Sequence, residues 1–115
     1  MKLLMHVLKE NKNLKINNER ISYLRILNKL EEEYKELVIA LIRYNSSRSL
    51  KCLKDVVRET FDLIQVCILI LFKAHRQAKT LDHENLIKEI NIEHKDKLVE
   101  RGWIFKTGIE IDVKE

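Results

Sequence analysis

Proline is absent from this chain, and glycine occurs only twice, as Gly102 and Gly108. Nothing before Gly102 is therefore obliged to break a helix. Cysteine is limited to Cys52 and Cys67, whose spacing fits neither a metal-binding nor a redox motif. That excludes a disulfide scaffold and a cysteine-bound zinc; both read as reduced thiols in or near the core of an intracellular, cytoplasmic protein. Long hydrophobic runs are missing as well. The most apolar stretch, residues 63–72, is interrupted by Gln65 and falls well short of the ~20 residues that span a bilayer. Residues 1–8 are too short and too interrupted for a secretory signal. A dominant charge is also lacking: the net charge is +4, with acids and bases interspersed. This argues against nucleic acid as a partner.

What remains is a chain of 115 residues, 45% hydrophobic and 35% charged, enough for one domain with its own core. Leu24, Leu27, Leu30, Tyr34, Leu37 and Leu41 recur at helical spacing, predicting a helix over residues 18–44. A turn-like stretch follows at 45–48. Ser47 or Ser49 can cap a second helix running to about Gln77. That helix is apolar around most of its circumference beyond Asp62, which places it centrally in a bundle. A third helix is expected over 83–101, stopped by Gly102. Ile109, Ile111 and Val113 alternate with Glu110 and Asp112, so the C-terminal end predicts a small β-hairpin with residues 103–105 as its other arm. Residues 3–8 suggest a short helix, and 11–18 a loop. The fold class is all-α, of four-helix-bundle type.

Glu33 and Glu36 on the first helix, and Glu59 and Asp62 on the second, are each three residues apart. That spacing puts both carboxylates of a pair on one helix surface, about 60° apart. Glu36 and Glu59 are equidistant from the turn at 45–48, and so are Glu33 and Asp62. If the helices fold back there, four carboxylates meet at one height. Glu59 also lies in line with Val56, Leu63, Val66 and Ile70, so it is expected to be partly buried. A buried carboxylate must be paired, protonated or metal-bound, and four together repel one another. A divalent cation relieves both problems, and an all-oxygen ligand set favours Mg²⁺, with Mn²⁺ as a substitute.

The pattern Glu32-Glu33-x-x-Glu36 followed by Glu59-x-x-Asp62 resembles the MazG-like all-α nucleoside triphosphate pyrophosphohydrolases, whose motif is EExxE on one helix and ExxD on the next. The segment 93–103, Glu-His-Lys-Asp-Lys-Leu-Val-Glu-Arg-Gly-Trp, is similar to the end of the shorter, phage- and Firmicute-type members. The resemblance covers about residues 18–103. It implies Mg²⁺-dependent cleavage of a nucleoside or deoxynucleoside triphosphate to monophosphate and pyrophosphate, a nucleotide-pool housecleaning role. Glu33, Glu36, Glu59 and Asp62 would hold the metal. Glu32 would orient or deprotonate the attacking water, although it points about 100° away from Glu33 on the helix.

Further candidates serve the substrate. His94, Lys97 and Arg101 share one side of the third helix and suit phosphate. Asn91 and Asn28 suit a base or sugar, and Trp103 suits stacking. The apolar segment 63–72, too broad to be covered by two other helices, and the family resemblance together imply a homodimer or homotetramer. Two other readings use the same bundle: a catalytically inactive interaction module, and a nucleic-acid-binding module.

Overall fold

The computed structural model of the chain describes residues 1–112. It is predominantly helical, with one small antiparallel hairpin. Strands β1 (Glu10–Asn11) and β2 (Ile16–Asn17) precede helices α1 (Tyr23–Ser47), α2 (Leu50–Thr80) and α3 (Leu86–Glu100).

α1 begins where Ser22 Oγ accepts the Arg25 N–H at 3.2 Å, satisfying one of the free amides of the first turn. It ends at Arg48, which adopts a left-handed φ of 49° and donates its N–H to Tyr44 O. Ser49 then caps α2 by accepting the Cys52 N–H at 3.2 Å. The reversal thus needs only Arg48 and Ser49, and α1 and α2 pack against each other along their length. α2 closes with Asp82 in the left-handed region at φ 56° and with His83 N–H bonded back to Ala78 O. α3 ends the same way on Gly102, at φ 85°, with Trp103 N–H reaching Leu98 O. Both are six-to-one terminal bonds that satisfy otherwise free carbonyls.

The seam between α1 and α2 corrects the expected stripe. The α1 residues that are buried or half-buried are Val38 and a line of Ile26, Leu30, Glu33, Leu37, Ala40 and Tyr44, the line spaced in a regular alternation of four and three. Leu24, Leu27, Tyr34 and Leu41 form a second apolar stripe that stays exposed. The two stripes share Leu30 and Leu37, so the hydrophobic pattern alone does not say which one meets α2. On α2 the covered line is Cys52, Val56, Glu59, Leu63, Val66, Ile70. Leu53, Val57, Ile64 and Leu71 remain exposed beside it. Each seam therefore carries one glutamate in a row of otherwise mostly apolar positions.

The ends of the chain also differ from expectation. No strand occurs in residues 101–112, and Val113 lies outside the described residues. The alternating tail meets no partner strand, and a lone hairpin there would have no apolar face to cover. The hairpin forms instead at residues 10–17. There Glu10 pairs with Asn17 and Asn11 with Ile16, and Lys15 takes the left-handed turn position at φ 55°. The preceding residues are not helical. Gln65 Nε2 holds them by donating to His6 O at 2.7 Å. Lys73 Nζ donates to Ile21 O at 2.7 Å and lies 4.8 Å from the Tyr23 ring centroid, tying the start of α1 to the second half of α2. Cys52 is half-buried, whereas Cys67 is exposed rather than near-core. No helix among the described residues is long and apolar enough to cross a membrane.

Because the two-residue turn depends on the Ser49 cap, Ser49→Ala should lower stability by about 1 kcal/mol. Urea unfolding of metal-free protein measures this, and an unchanged midpoint would contradict the cap's role.

Candidate metal centre

Glu33 and Glu36 project from the middle of α1, and Glu59 and Asp62 from the first half of α2. The antiparallel packing brings one carboxylate oxygen of each within 4.8 Å of all the others. All four residues expected to converge do so. Glu33 is the most enclosed, only 6% exposed, and Glu59 is half-buried while Glu36 and Asp62 face solvent. Two acids thus anchor the site in the seam and two open it to the outside.

The enclosed pair is incompletely satisfied. Glu33 Oε1 takes an ion pair from Lys29 Nζ at 2.9 Å, one turn earlier on the same helix. Its other oxygen, Glu33 Oε2, and Glu59 Oε2 are buried without a hydrogen-bond partner. Burying such oxygens unpaired costs about 1–3 kcal/mol each, more when charged. Lys29 responds to the arrangement: its hydrogen bond to Glu33 raises the ammonium pKa. One lysine does not balance four carboxylates, and Glu36 shows the deficit. The neighbouring Glu33 charge, reinforced by desolvation and by hydrogen bonds to Glu33 and Glu59, pushes the Glu36 carboxyl from 4.5 to about 7.

The donor set fits a hard divalent cation. All ligand atoms are carboxylate oxygens, and the two buried orphan oxygens point to a missing positive partner. Opposite ligands on Mg²⁺ lie about 4.2 Å apart, twice a bond of about 2.1 Å. A spread of up to 4.8 Å closes onto one ion with small side-chain movements, or leaves room for bridging water.

Glu32 is not part of the cluster. It is exposed and lies 3.6 Å from Lys29 Nζ, so the same lysine touches Glu32 and Glu33. Asn28 is exposed on α1, one turn before Glu32. Asn91, His94 and Lys97 are exposed on α3, with Arg101 and Trp103 exposed just beyond it. α3 packs against α2 and makes no packing contact with α1. Within one chain, Asn91, His94 and Lys97 are therefore not brought against Glu33 and Glu36.

Sequence reasoning missed the residues bordering the site on its turn side. A cavity of about 330 Å³ adjoins Glu36 and Glu59 and is bounded also by Ile39, Ala40, Arg43, Cys52 and Asp55. The available signal was that Ala40 and Arg43 continue the Glu33–Glu36 side of α1 at intervals of four and three. A larger cleft, about 770 Å³, lies between the N-terminal segment and the second half of α2, away from the acids.

Compared with known proteins, the chain matches no family model, no curated protein and no solved structure.

Because the folded Glu36 carboxyl binds its proton more tightly than in the unfolded chain, its contribution to metal-free stability is greatest below pH 4.5. It should fall as pH rises through about 7. Thermal midpoints against pH in a chelator should show this fall. The fall should be weaker in Glu36→Gln and reversed by millimolar Mn²⁺; identical wild-type and variant profiles would contradict it. Glu59→Gln should leave the metal-free protein at least as stable as wild type, measured by urea unfolding. A loss of several kcal/mol would mean that Glu59 is a structural ion-pair partner.

Proposed function

We propose that this protein is a Mg²⁺-dependent, MazG-like nucleoside triphosphate pyrophosphohydrolase that releases a nucleoside monophosphate and pyrophosphate. The observation that carries this reading is the convergence of Glu33, Glu36, Glu59 and Asp62, with two buried oxygens lacking partners. The EExxE and ExxD spacing supplies the reaction class.

Bound to these carboxylates, Mg²⁺ would neutralise phosphate charge and make the attacking water more acidic. The chain's own residues do the rest. Glu33 and Glu59, fixed in the seam, set the height and direction of the site. Glu36 and Asp62, on its solvent side, face the arriving phosphates. Glu32 stands outside the cluster with its carboxylate exposed, 3.6 Å from Lys29 Nζ, and is the carboxylate assigned to take the proton of the attacking water. Water oxygen bonds to the α-phosphorus, its proton passes to Glu32, and the bond to the bridging oxygen breaks. Pyrophosphate leaves with that bond's electron pair.

The same reading makes the working unit an oligomer, a homodimer or homotetramer in which α1–α2 hairpins combine into a four-helix bundle. The support is surface area. A compact 13.8 kDa monomer exposes about 6,600 Å², whereas this chain exposes 10366 Å². Its radius of gyration is 16.8 Å, against about 13 Å for a compact chain of this length. The excess exceeds the roughly 800 Å² that each partner contributes to a standard interface. The exposed apolar residues of α1 and α2 would be available for a second copy. Assembly is also the route by which another chain's α3 residues could approach the acids.

Incubation with a panel of nucleoside and deoxynucleoside triphosphates should release pyrophosphate and monophosphate in Mg²⁺ and neither in EDTA. Glu32→Gln should lower kcat by about 10²–10⁴-fold while leaving substrate affinity nearly unchanged. A folded, Mg²⁺-binding protein that turns over no nucleotide would contradict the activity. Light scattering on the eluted protein should give at least a dimer, and a monomer mass would contradict the assembly.

A further inference from the structure

The cavity beside the acids has a chemistry of its own. It lies between the four carboxylates and the α1–α2 turn, with a volume of about 330 Å³, near the lower end for ligand pockets. Glu36, Ala40 and Arg43 line its α1 wall at intervals of four and three, so they share one side of the helix. Ala40 is small, and the space exists partly because it is.

Three of the lining residues are acids, yet Arg43 is the one cation among them. Asp55 already has a partner, accepting from Arg58 Nη1 at 3.0 Å. Arg43 enters none of the ion pairs among the described residues. It stands about 10 Å along the helix from Glu36, two turns on. Helix side chains lean toward the N-terminus, which for Arg43 is toward the carboxylates. An extended arginine spans most of that interval, so its guanidinium can reach phosphate oxygens lying beside the carboxylates.

We propose that this cavity receives the pyrophosphate end of the substrate, the β- and γ-phosphates, and that Arg43 binds them through its guanidinium fork. The inference rests on the pyrophosphohydrolase reading and adds the direction in which the substrate lies. A planar guanidinium takes two phosphate oxygens side by side. The pyrophosphate end is compact and carries most of the charge, which suits a small cavity holding one arginine. The nucleoside then projects from the opposite, open side of the acids. When the α–β bond breaks, the electron pair stays on the departing pyrophosphate, and Arg43 faces the charge that develops there.

Cys52, half-buried in the α2 wall, reports on occupancy, and the exposed Cys67, outside the cavity, serves as an internal reference. Product inhibition in Mg²⁺ is measured separately with inorganic pyrophosphate and with the monophosphate, for wild type, Arg43→Ala and Arg43→Lys. Arg43→Ala should raise KM and weaken pyrophosphate inhibition at least about 10-fold, leave monophosphate inhibition unchanged, and be only partly rescued by lysine. Mg²⁺ with pyrophosphate should slow alkylation of Cys52 but not of Cys67, and the monophosphate should not. Weakened monophosphate inhibition with intact pyrophosphate inhibition, or Cys52 protection by the monophosphate alone, overturns the proposed direction. A wild type that turns over nucleotide while Arg43→Ala matches it in every constant overturns the role of Arg43 only. A wild type with neither turnover nor pyrophosphate inhibition overturns the underlying reading as well.

Discussion

Mutual repulsion among four carboxylates at the α1–α2 seam is the constraint on which the rest of this structure depends. Glu33 and Glu59 occupy positions where an apolar side chain would complete a regular three-and-four stripe. Apolar residues there would stabilise the seam at no electrostatic cost. The chain instead places two acids in it and two more beside them. Lys29 offsets one charge, and the Glu33 charge pushes the neighbouring Glu36 carboxyl up to about 7. Such an arrangement costs the seam stability, and the divalent cation we propose for it would relieve that cost.

The geometry of that site follows from a very short reversal. Arg48 in the left-handed region and Ser49 as a cap leave no slack between α1 and α2. The height at which the two acidic pairs meet is therefore set by the turn. A slip of one residue on either helix would rotate its pair by about 100° and disperse the cluster. The same tight hairpin leaves each helix with a second apolar stripe in water. The acidic cluster and the exposed apolar stripes are thus the two features on which the proposed cation site and the proposed assembly rest.

Much of this was legible in the sequence, for identifiable reasons. Long helices follow from the lack of proline and from strong periodicity. The meeting of Glu33, Glu36, Glu59 and Asp62 follows from their symmetric spacing about one turn, information that is local and needs no packing detail. The depth ordering was not legible: Glu59 was expected to be partly buried and is half-buried, but the greater enclosure of Glu33 was not foreseen, because α1 uses the stripe containing Ile26 and Ala40 rather than Leu24 and Leu41. Two overlapping stripes of similar strength leave that choice to tertiary contact. The alternating tail failed as a hairpin because alternation is necessary for a strand but a partner is also required. The N-terminal hairpin went unseen because its strands are two residues each and polar. Arg43 reads as an ordinary surface residue until the cavity beside it is seen.

The most direct test of the central claim is titration of chelator-stripped protein with Mn²⁺, followed by electron paramagnetic resonance and calorimetry, in wild type and in Glu33→Gln. Saturable binding with protons released near neutral pH, weakened at least about 10-fold in the variant, is the expected result. Absence of saturable binding in folded wild-type protein, or equal binding by the variant, would show that the four carboxylates are not a metal centre.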